Sequence, residues 1–394
     1  MFKIKGIPRS IFVLGAVSFL TDVSADMIYP LLPLFLTQYL GVGQWFIGLI
    51  EGVAEFTAAI FTLLSGVWAD KAKDRSKLVL AGYTFSSLAR PLVAVAWTPW
   101  VVLFVRFLDR TGRGIRTAPR DALIADTVPK ENRGRAFGLQ RACDNAGAVA
   151  GPLIASLLLA GWVTNLRVLF AIAAIPGLLA VALVAWKVRE VEDRAHSKIR
   201  VSFAPPSGRL RAFLIVYFIF ILSCSSDAFL LLRCAELGIA APLIPIVWML
   251  FNAVKALTTM PLGALSDRIG RRKVIFAGWI IYTLIYAGLG FAATPLHGWL
   301  LFAAYGLYYG FTEGVERAFL ADHSSPEERG RMFGWFYLST GVGALIASVI
   351  FGAVWQGFGS KTAFLASAAV SFGACVLLLI FMRRYPSAKT SPIV

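Results

Sequence analysis

Charge is scarce in these 394 residues. Asp, Glu, Lys and Arg make up 15% of them, against about 25% in soluble domains. Histidine occurs three times and cysteine four. His196, His297 and His323 all fall in predicted loops, and the chain has no HExxH, GxSxG or paired His/Cys set. Metal and nucleophilic catalysis therefore have no recognisable apparatus, and an enzyme is not expected. Cys143, Cys224, Cys234 and Cys375 lie in or at the ends of apolar stretches and form no CxxC. No disulfide framework and no metal site follow from them. A Walker A glycine loop is also missing, so neither ATP drive nor any other cofactor is expected.

What the chain has in excess is apolar surface. Hydrophobic residues reach 58% and mean hydropathy is +0.72. A core cannot absorb that much, so most of it must face lipid. The net charge of +16 suggests nucleic acid in a soluble protein. Here the basic residues lie between apolar runs, where they suit the cytoplasmic face of a membrane and an anionic leaflet. Lys3, Lys5 and Arg9 ahead of an apolar run imitate a signal peptide. Asp22 and Asp26 interrupt that run, which continues to about Leu36, so it reads as a retained first span.

A helix of roughly 20 residues crosses a bilayer core. Apolar runs predict twelve spans, at 11–36, 45–68, 77–97, 99–122, 135–160, 166–186, 211–233, 242–265, 274–293, 298–320, 332–354 and 362–382. With both termini in the cytoplasm, 26 of the 38 Lys and Arg fall in cytoplasmic segments. Only Arg167, Arg233 and Lys361 fall in outer loops. That asymmetry supports an even number of spans. A polar stretch at 187–210 separates two six-helix units, 1–186 and 211–394.

The two units repeat each other. Gly66-Val-Trp-Ala-Asp70-Lys71 returns as Gly263-Ala-Leu-Ser-Asp267-Arg268. Ala125-Asp126 with Arg133-Gly134-Arg135 returns as Ala321-Asp322 with Arg329-Gly330-Arg331, 196 residues later. Parallel repeats imply a pseudo-twofold axis along the membrane normal and a substrate site between the halves.

With these features the chain resembles the major facilitator superfamily, and in particular its drug/proton antiporters. Gly263-x-x-x-Asp267-Arg268-x-Gly270-Arg271-Arg272 is similar to the superfamily's signature for the loop after the eighth span. The first copy departs from it, with Lys73 where Gly is expected and Asp74 where Arg is expected. The resemblance implies a gating role for Asp70, Gly263, Asp267, Arg268 and Arg271, with the Asp facing a helix N-terminus of the opposite half. Gly147-Ala-Val-Ala-Gly151-Pro152 resembles an antiporter element of the fifth span, which implies a gating role for Gly147, Gly151 and Pro152, although Ala155 and Ser156 replace the glycines that usually follow. Close helix packing by small residues is the alternative explanation. Arg106 matches the arginine of the family's fourth-span motif, while Asp109 and Arg110 replace the Gln and Gly expected after it.

Ionisable groups inside the membrane cost at least about 2.5–3.5 kcal/mol each at its centre, so each needs an explanation. Arg106, Arg110, Arg113, Arg116 and Arg120 share one face of the fourth span. That stripe must face protein or water, although Arg116 and Arg120 have the alternative of snorkelling to the cytoplasmic interface. Gly112, Gly114 and Pro119 are expected to loosen the helix. Asp22 and Asp26 share a face of the first span, and Glu51 and Glu55 a face of the second. Two clusters are expected: Asp22, Asp26, Glu51 and Glu55 with Arg106, Asp109 and Arg110, carrying protons; and Lys255 with Glu313 and Glu316. Static salt bridges are the alternative. Arg141 and Asp144 are spaced to pair locally. Substrate contacts are expected from Arg113, Asp227, Trp248, Lys255, Tyr305, Tyr309, Glu313 and Glu316, with Phe251 and Tyr308 nearby. Trp45, Trp97, Trp100 and Trp299 read as interface anchors.

The expected function is secondary active transport of a small molecule by alternating access, as proton-coupled efflux. Uptake or exchange of an organic anion on the arginine stripe, and lipid flipping, are the alternatives. A monomer in the inner or plasma membrane, with protons and lipid as its further partners and no nucleic acid, completes the expectation.

Overall fold

The computed structural model describes residues 8–71, 75–129, 132–187, 206, 208–325 and 328–385, and among these all regular structure is helical. The principal helices are α1 (Arg9–Ile28), α2 (Gln44–Lys71), α3 (Arg75–Ala89), α4 (Pro99–Thr127), α5 (Arg133–Gly161), α6 (Leu166–Ile172), α7 (Ala174–Lys187), α8 (Gly208–Ile221), α9 (Asp227–Glu236), α10 (Ile244–Ile269), α11 (Arg271–Phe291), α12 (Pro295–Asp322) and α13 (Arg329–Arg384). The predicted polar stretch at 187–210 lies largely outside the described residues.

Among the described residues, eight helical stretches are long and apolar enough to cross a membrane. Three predicted spans fall outside that set for visible reasons. The helix at 99–127 carries the arginine stripe, the helix at 295–322 carries Glu313, Glu316 and Arg317, and the stretch at 208–236 is broken between Ile221 and Asp227. At about 1.5 Å per residue, the 56 residues of α13 exceed twice the thickness of a bilayer core. Gly359, at φ 84°, breaks this stretch into two helices.

The internal repeat reaches the helix ends. Thr98 caps α4 by accepting a hydrogen bond from the Val101 amide, with Pro99 at the first helical position. Thr294 caps α12 in the same way through the His297 amide, with Pro295 following. Arg75 meets Asp126 at 2.5 Å, and Arg271 meets Asp322 at 2.5 Å. Both pairs join the loop after an even-numbered predicted span to the end of a helix two spans later.

The N-terminal helices pack α1 on α5 and α7, and α4 on α2 and α3; the C-terminal helices pack α12 on α10 and α11, and α13 on α8 and α11. The two sets meet along α2 and α13 and along α5 and α10. Glycine permits the first of these approaches. A Cβ on Gly48 would lie 2.1 Å from the Ser348 carbonyl oxygen, and one on Gly352 would lie 2.4 Å from that of Gln44. Trp45, Trp97 and Trp100 are exposed at the end opposite Arg9 and Arg384, whereas Trp299 is partly covered by packing.

Candidate functional site

A cavity of about 670 Å³ lies between the two sets of helices. It is lined from α1, α2, α4 and α5, with Arg90, on one side and from α8, α9, α10, α12 and α13 on the other. All five arginines of the α4 stripe line it. The expected loosening of α4 does not occur, since the helix runs unbroken through Gly112, Gly114 and Pro119. The glycines instead admit close neighbours. A Cβ on Gly112 would stand 2.7 Å from the Gly82 carbonyl oxygen, and one on Gly114 would stand 2.5 Å from Phe61 Cβ. This brings α4 against α3 and α2 and fixes the azimuth of the stripe.

Ion pairs anchor the deep end of the stripe, and all of their members except Glu55 are buried. Arg106 Nη2 donates to Glu51 Oε2 at 2.6 Å, and Arg110 meets Glu55 at 3.2 Å. Arg90 Nε donates to Asp109 Oδ1 at 2.7 Å and its Nη1 donates to the Thr21 carbonyl at 3.0 Å. Glu51 is only 2% exposed, so these charges need one another: an unpaired ion there would lose its hydration without return. Arg90 was not singled out by sequence, although a lone arginine before Pro91 in an apolar span was a visible signal. Toward the other end of the stripe, Arg116 and Arg120 turn into the protein and do not snorkel. Arg116 stacks over Tyr83 at 4.6 Å and donates to Ser86 Oγ, and Arg120 donates to Asp121 at 3.1 Å.

Asp22 and Asp26 do not join the arginine cluster. Among the described residues neither forms a salt bridge, and both line the cavity. Asp26 Oδ1 accepts from Trp248 Nε1 at 2.9 Å, across the cavity from α10. The Trp248 ring also lies 4.9 Å from the Tyr29 ring. Gly147 and Gly151 seat α5 behind this pair. A Cβ on Gly147 would meet the Phe19 carbonyl oxygen at 2.6 Å and Asp22 Cβ at 2.9 Å; one on Gly151 would meet the Val23 carbonyl oxygen at 2.7 Å. Here Gly147, Gly151 and Pro152 sit in a packing seam of α5 on α1.

On the opposite wall, Lys255 Nζ meets Glu313 Oε2 at 2.9 Å, and Arg317 shares Glu313 at 3.1 Å. Glu316 departs from the expected cluster. It is buried and accepts from Trp279 Nε1 at 3.0 Å, away from Lys255. Asp227 accepts from the Tyr305 hydroxyl at 3.0 Å and the Tyr309 hydroxyl at 3.3 Å. The expected local pair of Arg141 and Asp144 is not formed; Asp144 accepts from Gln140 at 3.0 Å and stands 4.0 Å from Arg120. Arg167 and Arg233, expected in outer loops, fold back onto helix ends. Arg167 donates to the Ala94 carbonyl at 2.8 Å, and Arg233 donates to the Leu289 and Ala292 carbonyls at 3.1 and 2.7 Å.

Of the expected gating residues, the Asp70 side chain lies outside the described residues. Among the described residues, Asp267 pairs with Arg271, at 2.8 Å. Arg268 and Gly263 lie on the same helix end, and a Cβ on Gly263 would meet nothing within 4 Å. Among the described residues, the hydrogen bonds between the two sets of helices, other than Trp248 to Asp26, lie at the other end. Ser156 Oγ donates to the Pro242 carbonyl at 2.7 Å, and the Trp45 amide donates to Gln356 Oε1 at 3.3 Å.

Comparison with known proteins agrees with this geometry. The family model described as the Major Facilitator Superfamily matches residues 14–233 and 212–393. An uncharacterised MFS-type transporter of Methanocaldococcus jannaschii is 35% identical, over 88% of this chain and 89% of its own. The multi-drug resistance efflux pump PmrA of Streptococcus pneumoniae is 26% identical, over 94% of this chain and 96% of its own. Among solved structures, a mutant form of the nucleoside transporter NupG superposes with a TM-score of 0.79 at 16% identity, covering 95% of this chain and 100% of that one. A bacterial homologue of the human lysosomal transporter Spinster, inward-facing and occupied, gives 0.77 at 16%, covering 97% and 98%. The chain is a membrane-spanning protein that belongs to the Major Facilitator Superfamily and is similar to its drug transporters.

Proposed function

We propose that this protein is a proton-coupled exporter of small organic molecules working by alternating access, and that Asp22 and Asp26 carry the coupled protons. Twelve spans in two six-helix halves, 1–186 and 211–394, with both termini in the cytoplasm, form the working unit, a monomer in the inner or plasma membrane. The contacts made by Trp45, Ser156 and Trp248 close the outer end, which makes this the inward-facing state.

The observation that carries the proposal is the pair of cavity-lining carboxyls on α1 that form no ion pair among the described residues. Glu51, Glu55 and Asp109, by contrast, each contact an arginine, which suits a structural role. Removal from water favours a neutral acid and a facing cation favours its ion. A change in exposure as the halves rock therefore changes proton occupancy at an unpaired acid more than at a paired one. Asp26 also touches the moving boundary through Trp248, so its proton and the outer closure act on one bond.

The test uses purified protein in liposomes with a pH-sensitive dye inside, an imposed proton gradient, and a panel of lipophilic cations, drugs and organic anions. Substrate-dependent proton flux, abolished in Asp22→Asn and Asp26→Asn, is the expected result. Flux of a labelled anion with no proton movement would instead make the protein an anion facilitator or exchanger that uses the arginine stripe as its binding site.

A further inference from the structure

The two walls of the cavity differ in kind. The N-terminal helices contribute seven basic and five acidic groups to the lining, and the C-terminal helices contribute two basic and three acidic. Aromatic rings follow the opposite rule. Tyr29 is the single ring from the N-terminal side, against eight rings from the C-terminal side.

Most of these charges are cancelled by the pairs described above. Arg113 on the N-terminal wall and Asp227 on the C-terminal wall are among the cavity-lining charges that form no ion pair among the described residues, as are Arg116, Arg141, Asp22, Asp26 and Glu316. The Arg113 guanidinium, on α4, forms neither a hydrogen bond nor an ion pair among the described residues and lines the cavity. Asp227, at the start of α9, is held by two tyrosine hydroxyls at 3.0 and 3.3 Å. These donors orient the carboxylate without neutralising it. The basic groups on its own wall, Lys255 and Arg317, both meet Glu313, at 2.9 and 3.1 Å, and Lys255 lies over the Tyr309 ring at 4.5 Å. Rings surround the Asp227 side of the cavity: Phe251 stacks on Tyr305 at 5.5 Å and lies tilted against Trp248 at 4.9 Å. Aromatic faces attract organic cations, and a half-buried ion without a partner gains most from a ligand of opposite charge.

We infer that the substrate is a dipolar organic molecule, with a cationic nitrogen on a flat apolar body seated against Asp227 and the rings of Trp248, Tyr305 and Tyr309, and an anionic group on Arg113. This rests on the central cavity being the transport site proposed above. It goes further by requiring both charges on one molecule.

Equilibrium binding to the detergent-purified protein, by calorimetry without a proton gradient, tests it. The probes are two zwitterions of different length, 4-(aminomethyl)benzoate and 4′-(aminomethyl)biphenyl-4-carboxylate, each beside its amine-only and carboxylate-only counterparts. At least one zwitterion should bind tenfold or more tighter than both of its counterparts. Asp227→Asn should erase the advantage over the carboxylate-only probe, and Arg113→Gln the advantage over the amine-only probe. A singly charged probe that binds as tightly as its zwitterion, or binding by none of the six, overturns the inference. The wild-type comparison needs no variant to fold. Loss of proton coupling would leave this result untouched, so the two proposals fail separately.

Discussion

Trp248 Nε1 donates to Asp26 Oδ1 at 2.9 Å, and this bond ties α10 to α1 across the central cavity. Hydrogen bonds to charged groups contribute about 1.5–3 kcal/mol. Trp248→Phe keeps most of the ring area and removes the donor. It should therefore shift the closed-to-open ratio of the outer end by roughly 10- to 100-fold. Alkylation of a single cysteine placed at residue 356, beside Trp45, reads that shift as a faster rate. An unchanged rate would show that the bond does not hold the outer end closed.

The buried pair of Arg106 and Glu51 should behave as structure. Breaking such a pair leaves an uncompensated buried charge, at a cost of about 3–5 kcal/mol. Arg106→Ala should lower the melting temperature of the purified protein markedly. Asp22→Asn, which breaks no ion pair, should leave it nearly unchanged while abolishing coupled flux. Equal destabilisation by the two variants would place Asp22 in the structural network.

Gly147 and Gly151 should tolerate no side chain. A Cβ at either position runs into a carbonyl oxygen of α1, at 2.6 and 2.7 Å. Gly151→Val should cost about 1–3 kcal/mol by overpacking and should move Asp22 and Asp26 away from their cavity positions. Thermal melts and proton flux should fall together. Wild-type flux with a lowered melting temperature would separate the packing seam from coupling.

The partly exposed pair Arg271 and Asp322 should matter little to stability. Such pairs contribute about 0.2–1 kcal/mol, so Arg271→Ala should shift the melting temperature by little more than experimental scatter. A large fall would mean that this end of α11 is held more rigidly than its exposure implies.

Sequence revealed what depends on periodicity and repetition. The arginine stripe and the paired acids of α1 and α2 follow from spacing within one chain segment, and the Asp126/Asp322 repeat from comparing the two halves. It missed what depends on the rotation of one helix against another. Glu316 was expected beside Lys255, yet α12 turns it to Trp279. Arg90 completes the network with Asp109 because Gly82 and Gly112 let α3 and α4 touch, a contact that no single helix announces. Asp26 was placed among arginines for the same reason, since charge suggests a partner but not the face on which it lies.

The most direct test of coupling between Asp26 and the outer closure is a distance. Spin labels at positions 45 and 356, in a variant without the four native cysteines, span the outer closure between α2 and α13. An ionised Asp26 accepts from Trp248 more strongly than a protonated one. Lowering the pH should therefore raise the fraction of a longer distance in pulsed dipolar spectra, and Asp26→Asn should show that fraction at every pH. One short distance, unmoved by pH and by Asp26→Asn alike, would contradict proton-linked opening of the outer end.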